Sequence, residues 1–311
     1  MDFDEFREQL KEDLKERLFE RTGDDIEVTS SSVEKLQNAG YEGITVRKEG
    51  DPVGLNIDAG TFFKDYDSGK KEYEDVLDDV TDIAIRGFEE APAFDISSLN
   101  NYDVMKEHLS LQVVATDRNA DMLENIPHKE IEDMSVVCRF MVASGNDCIG
   151  SILVTNRLLE NMGITEEQLF NDAAKYAPDL RPSEIKGMAD VLAEMMGIDV
   201  GELDSQFGGA LGQPEIQMYV ASTHDKANGA GIIAYPGFME MAAEKVGGDF
   251  FLLPSSVHEV ILVPDKGQMD YHELEKMVKE VNATQVELKD QLSDHVYHYD
   301  SKERVFELAE K

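Results

Sequence analysis

Two cysteines in 311 residues are too few for a disulfide framework or a four-thiolate metal site. If residues 144–147 form a hairpin turn, Ala143 faces Cys148 and Cys138 faces Leu153, so the two sulfurs are not cross-strand partners and both thiols are expected free. No apolar run approaches the roughly 18 residues of a membrane span. The start, Met1-Asp2-Phe3-Asp4-Glu5, lacks the basic and apolar regions of an export signal. These absences set the expectation of a cytoplasmic protein with no membrane partner. Positive charge is scarce as well: 29 Lys and Arg stand against 65 Asp and Glu, a formal net charge of −36. So negative a surface repels phosphate backbones, which argues against direct nucleic-acid binding. It acts as a solubility device or, in a sharper alternative, imitates a row of DNA phosphates and occupies a DNA-binding protein.

What is present is ordinary globular material, 41% hydrophobic and 30% charged. Phe3, Phe6, Leu10, Leu14 and Leu18 fall on one helical stripe that Gly23 ends, which predicts a docked amphipathic helix. A unit of two strands followed by a helix then recurs. The first copy has strands at 44–47 and 53–57 around Gly50-Asp51-Pro52 and a helix over 70–88, buried through Tyr73, Val76, Leu77, Val80, Ile83 and Ala84. The second has strands at 136–142 and 149–154, apolar on both faces and so expected mid-sheet, with a helix from about Arg157. The third runs from 216–220 to a strand at 231–235 and a helix at 238–246. The fourth joins 250–253 and 260–263 to a helix at 271–281.

Short turns inside each pair predict mainly antiparallel sheets covered by helices, an α+β fold. A helical insert separates the second and third copies; Thr165 and Gln168 supply a capping box and Pro182 opens the next helix near 185–195. Four glycines and a proline in 199–214 suggest a linker between an N-terminal domain, 1–198, and a C-terminal domain, 215–311; the alternative is a long loop inside one domain.

No cofactor or metal motif is complete. Asp65-Tyr66-Asp67-Ser68-Gly69 has its glycine one position early for a calcium loop, with Val76 where a bidentate Glu belongs. Asn228-Gly229-Ala230-Gly231 lacks the Lys-Ser/Thr of a phosphate loop and reads as a turn. Glu72, Glu74, Asp75, Asp78, Asp79 and Asp82 read as a solvated helix face. The densest chemistry lies in Leu252-Leu253-Pro254-Ser255-Ser256-Val257-His258-Glu259-Val260. In an extended chain Ser256 and His258 share one face while Ser255 and Glu259 share the other. A hydroxyl beside a histidine is a candidate nucleophile and base. The zinc-protease pattern fails, since Leu262 stands where its second histidine belongs. The plainer account is that the serines satisfy backbone groups at a tight connection. His295-Val296-Tyr297-His298-Tyr299 alternates as a strand with polar edge histidines.

Taken together, several stretches resemble a family of bacterial proteins of unknown function found in anaerobic gut bacteria, over nearly the full length. They are Ile126-Pro127; Asp133-Met134-Ser135-Val136-Val137-Cys138-Arg139; Gly229-Ala230; Leu252 through Ile261; Met277-Val278-Lys279-Glu280-Val281-Asn282; and Leu292-Ser293-Asp294-His295-Val296-Tyr297. Where that pattern expects Leu-Thr-Asn, this chain has Ala221-Ser222-Thr223. The resemblance implies relatives and brings no chemistry with it. The leading expectation is therefore a cytoplasmic, non-catalytic binding or interaction protein with a possible protein partner. The alternative is a hydrolase-like enzyme built on Ser255, Ser256, His258, Glu259 and nearby Asn282, and a second is the acidic DNA mimic.

Overall fold

The computed structural model describes residues 1–51, 54–89, 98–99, 101–145, 148–206, 218–267 and 270–309. They fall into two compact units, Met1–Ala93 and Phe94–Lys311. The first contains α1 (Phe3–Thr22), β1 (Ile26–Val33), β2 (Tyr41–Lys48), β3 (Leu55–Asp58), α2 (Ala59–Asp67) and α3 (Tyr73–Glu89). Asp2 and Glu5 form a reciprocal capping box that starts α1, and Gly23 in the left-handed region (φ 74°) stops it. Phe6, Leu10, Leu14 and Leu18 are fully buried, as their spacing predicts. They pack with Ile44, Val46 and Ile57 of the antiparallel sheet β1-β2-β3 and with Val76, Leu77, Val80 and Ala84 of α3. The supposed calcium loop is the end of α2, where Asp65 pairs with Lys70 at 2.8 Å.

The second unit contains α4 (Tyr102–Met105), β4 (Leu109–Ala115), α5 (Ala120–Leu123), β5 (His128–Ile131), β6 (Met134–Gly145), β7 (Cys148–Leu153), α6 (Asn156–Met162) and α7 (Glu166–Leu180). It continues through β8 (Ser183–Gly187), α8 (Met188–Met196), α9 (Val200–Gln206), β9 (Tyr219–Thr223), α10 (Phe238–Val246), β10 (Phe250–Ser256), β11 (Glu259–Pro264), α11 (Tyr271–Thr284), β12 (Tyr297–Asp300) and β13 (Val305–Leu308). β6 is the centre of a four-stranded sheet, with β4 on one side and β5 and β7 on the other. A six-stranded sheet has the order β13-β12-β10-β11-β9-β8. The strand pairings among the described residues are antiparallel, so the fold is α+β.

Alternation along β10 explains its doubly apolar sequence. Phe250 and Leu252 enter the main core with Phe140, Val260 and Tyr297, while Phe251 and Leu253 pack under Leu274 and Val278 of α11. The pairing then slips by one residue: Leu253 opposes Ile261, but Ser256 opposes Glu259. Pro254 and Ser255 thus face one residue of β11, a β-bulge, and a proline with no N–H to donate is tolerated there. Beyond the bulge Val257 joins the main core.

Several expectations need correction. Residues 229–234 form a 3-10 turn, Gly229–Ala234, where a strand over 231–235 was expected; Gly231 lies so close to Leu111 there that any Cβ would collide with the Leu111 carbonyl. Pro182 opens β8 before the helix begins at Met188, so the insert contributes an edge strand. β8 pairs with β9 across 199–214, which places the strands on both sides of the expected linker in one sheet. The division falls between Ala93 and Phe94 instead. Among the described residues β7 pairs with β6 alone, and the register puts Arg139, not Cys138, opposite Leu153, and Gly150, not Cys148, opposite Ala143. Cys138 is a buried free thiol whose burial pushes its pKa up; the side chain of Cys148 lies outside the described ones. β12, with Tyr297 and His298, is an interior strand between β10 and β13, and β13 forms that edge.

Candidate functional site

The expected junction is the tip of the β10–β11 hairpin. Ser256 Oγ accepts the His258 backbone N–H at 3.0 Å, so the hydroxyl closes a local turn. The tip is held from three sides. Ser222 Oγ donates to the His258 carbonyl at 2.7 Å, Ala230 N–H to the Val257 carbonyl at 3.1 Å, and Val257 N–H to the Asp290 carbonyl at 2.7 Å. The half-exposed imidazole is tied in as well: Nδ1 accepts the Asn228 backbone N–H at 3.2 Å, and Nε2 lies 3.5 Å from Asp290 Oδ1. A neutral ring has one lone pair and one N–H. Here the Nδ1 lone pair accepts the Asn228 N–H, which leaves the neutral ring's own N–H on Nε2, the side of Asp290.

The other candidates divide. Glu259 opposes Ser256 directly and is partly exposed, so the turn at Val257 and His258 replaces the extended facing expected from the sequence. Ser255 sits in the bulge. Asn282 is buried elsewhere, donating to the Ser293 carbonyl at 3.1 Å and Asp294 Oδ1 at 2.8 Å while its carbonyl accepts Gln291 Nε2 at 2.8 Å. It pins α11 to the 291–294 loop.

The glycine-rich stretch 228–231 earns its composition by close approach. Asn228 takes a left-handed conformation (φ 52°), and a Cβ at Gly229 would collide with Ser222 Oγ and the His258 carbonyl. Asn228 also carries the network inward. Its Oδ1 accepts Gln112 Nε2 at 3.2 Å, and Gln112 Oε1 accepts Arg139 Nη1 at 3.2 Å. Arg139 Nε donates to Ser151 Oγ at 2.9 Å. A line of hydrogen bonds therefore runs from Ser151 on β7 through β6 and β4 to the hairpin tip.

A second arginine, more deeply buried than Arg139, stands beside this line. Arg181, at the end of α7, is only 7% exposed. Its Nε donates to Asp225 Oδ2 at 2.9 Å, and its Nη2 pairs with Asp225 Oδ1 and the Ala227 carbonyl. Nη1 reaches Ser110 Oγ at 3.0 Å, and Nη2 reaches Thr223 Oγ1 at 3.1 Å. Burial pushes the Asp225 carboxyl up, but bonds from Arg181 and Thr223, the Arg181 charge and the Ala227 N–H outweigh it and hold the pKa below the usual range. Sequence reading missed both arginines. Arg139, a lone charge inside the apolar run 136–142, was the visible signal.

Residues 3–301 match the model of a family of unknown function, DUF5688. The chain belongs to DUF5688. The match covers all but the ends of the chain, so the resemblance carried by the 126–139, 252–261 and 292–297 stretches extends to both units. No curated protein and no solved structure matches the chain. For this DUF5688 member the hairpin tip and the two arginines therefore have to be read on their own chemistry.

Two further features bear on that. The α3 carboxylates are not a bare row: Arg17 pairs with Glu74 and Asp78, Arg21 with Asp82, and Lys71 with Asp79. Among the described residues no group of three or more metal-ligating side chains converges, and no helix is long and apolar enough to cross a membrane.

Proposed function

We propose that this DUF5688 chain is a cytoplasmic, non-catalytic binding protein, with the 254–259 hairpin serving as the scaffold of a polar site. The observation that supports the reading is the placement of His258: Nδ1 accepts the Asn228 backbone N–H, Nε2 lies 3.5 Å from Asp290 Oδ1, and Ser256 Oγ accepts a backbone N–H. A general base needs a lone pair within reach of the proton that it removes. Cys138, buried and with its pKa raised, suits a reducing compartment in which a thiol stays protonated and inert. The DNA-mimic alternative loses support, because four of the α3 carboxylates are already paired with cations of their own unit.

The test is a broad screen of the purified chain against esters, amides, phosphoesters and glycosides, with His258→Ala and Ser256→Ala alongside. The expected result is that neither substitution removes a turnover, while both lower the melting temperature. A turnover that His258→Ala abolishes with the fold intact would overturn the reading.

A further inference from the structure

We infer that Arg139 is the anchor of a site for a small-molecule carboxylate, which gives the binding reading above, on which this rests, a class of ligand. The argument starts from charge. In a chain with 65 Asp and Glu, acidic partners for an arginine are abundant, yet among the described residues no carboxylate reaches the Arg139 guanidinium. Its two hydrogen-bond partners, Ser151 Oγ and Gln112 Oε1, are neutral. Burial lowers its pKa, with no opposing stabilisation from a carboxylate among the described residues. A partly buried cation held by neutral groups alone is a costlier arrangement than one paired with a carboxylate, and folding by itself does not call for it.

Geometry supplies the second half. A guanidinium has five N–H groups, and the two hydrogen bonds engage one on Nε and one on Nη1, leaving three, with none of its nitrogens both sealed from solvent and unbonded. The residue is partly exposed, so a ligand reaches it. Its surroundings are prearranged. Strand register puts Ser110 directly across from Arg139, and Ser110 Oγ is held by Arg181, while Gln112 is held by Asn228. Arg181 is neutralised by Asp225 and has no charge left over. One uncompensated positive charge calls for one negative charge, and a planar carboxylate matches the guanidinium fork in both charge and shape. Phosphate, carrying more negative charge into an already acidic molecule, matches less well.

The experiment follows the Arg139 Nε–Hε signal by NMR in the full chain during titration with sodium acetate, at constant ionic strength maintained with chloride, and in parallel with sodium phosphate. A saturable shift with acetate, at least tenfold tighter than with phosphate, is expected. No saturable shift, or preferential saturation by phosphate, overturns the assignment. Melting curves of Arg139→Met give an independent reading: in chloride the variant should melt above the wild type, and acetate should raise the wild type alone. An Arg139→Met protein that melts lower and still responds to acetate also overturns it. These results leave the non-catalytic reading untouched, since that one fails only through a His258-dependent turnover.

Discussion

Arg139 is partly and Arg181 almost wholly withdrawn from water in one unit, and Ser110 relates to both, hydrogen-bonded to Arg181 and opposite Arg139 in the sheet. Their solutions differ. Arg181 gathers Asp225, Thr223, Ser110 and the Ala227 carbonyl around itself, whereas among the described residues Arg139 meets Ser151 and Gln112 alone. The first is a closed cluster that ties α7 to the loop after β9. The second is electrically open. The contrast teaches that burial of a cation does not by itself mark a structural role; what matters is whether the chain also supplies the matching anion.

The strongest way to break the contrast is Arg181→Ala. It leaves Asp225 partly buried without its cation and should cost about 3 kcal/mol, the lower end for a broken buried pair because Asp225 keeps some contact with water. Urea unfolding measures this, and a loss below about 1 kcal/mol would show that the cluster is not the clamp described. Pairing Arg181→Met with Asp225→Leu should recover much of the loss, since removing both charges removes the orphan.

Next in size is Gly231→Ala. The added methyl meets the Leu111 carbonyl, and overpacking of this kind costs roughly 1–3 kcal/mol. The 3-10 turn that follows the Asp225 loop should shift as it yields, which hydrogen exchange at Ile232 and Ile233 would show.

Acid sharpens the comparison. The folded pKa of Asp225 is depressed, so its contribution is complete above the unfolded carboxylate value near ~3.9 and is lost as pH falls through the lower folded value. The stability difference between wild type and Asp225→Asn should therefore hold steady from pH 7 to about 5 and shrink below about 4. A difference independent of pH would mean that Asp225 is held by packing and not by charge.

The smallest effect belongs to the open side. Ser151→Ala removes one neutral partner of Arg139 and should cost about 1 kcal/mol or less, read as a small fall in melting temperature.

How much of this was written in the sequence depends on how local the cause is. The α1 stripe and the β10–β11–α11 unit were legible because period and turn chemistry act within a few residues. Gly231–Tyr235 misled because two adjacent isoleucines, Ile232 and Ile233, are both buried in the main core, a pattern that imitates a doubly covered strand. β8 went unseen because a five-residue edge strand with partly exposed residues throughout has no alternation to read, and Pro182 suggests a helix start equally well. The hairpin tip was found, and Ser256 satisfies a backbone N–H there as the plainer account expects, but the distant contacts of the tip were not legible. His258 meets Asn228 from 30 positions away and Gln112 meets Asn228 from 116, and such convergence leaves no periodic trace.

The bulge at Pro254 and Ser255 has a consequence for how members of this fold can vary in length. Hairpin ends are ordinarily where chains gain or lose residues with little penalty. Here the extra residue sets the phase of everything after it: deleting Ser255 would restore plain pairing, swing the Val257 methyls out of the main core and carry the carbonyl of His258 away from the Ser222 hydroxyl. Single-residue deletions should thus be absent from this tip in working relatives, and length change should concentrate in other connections.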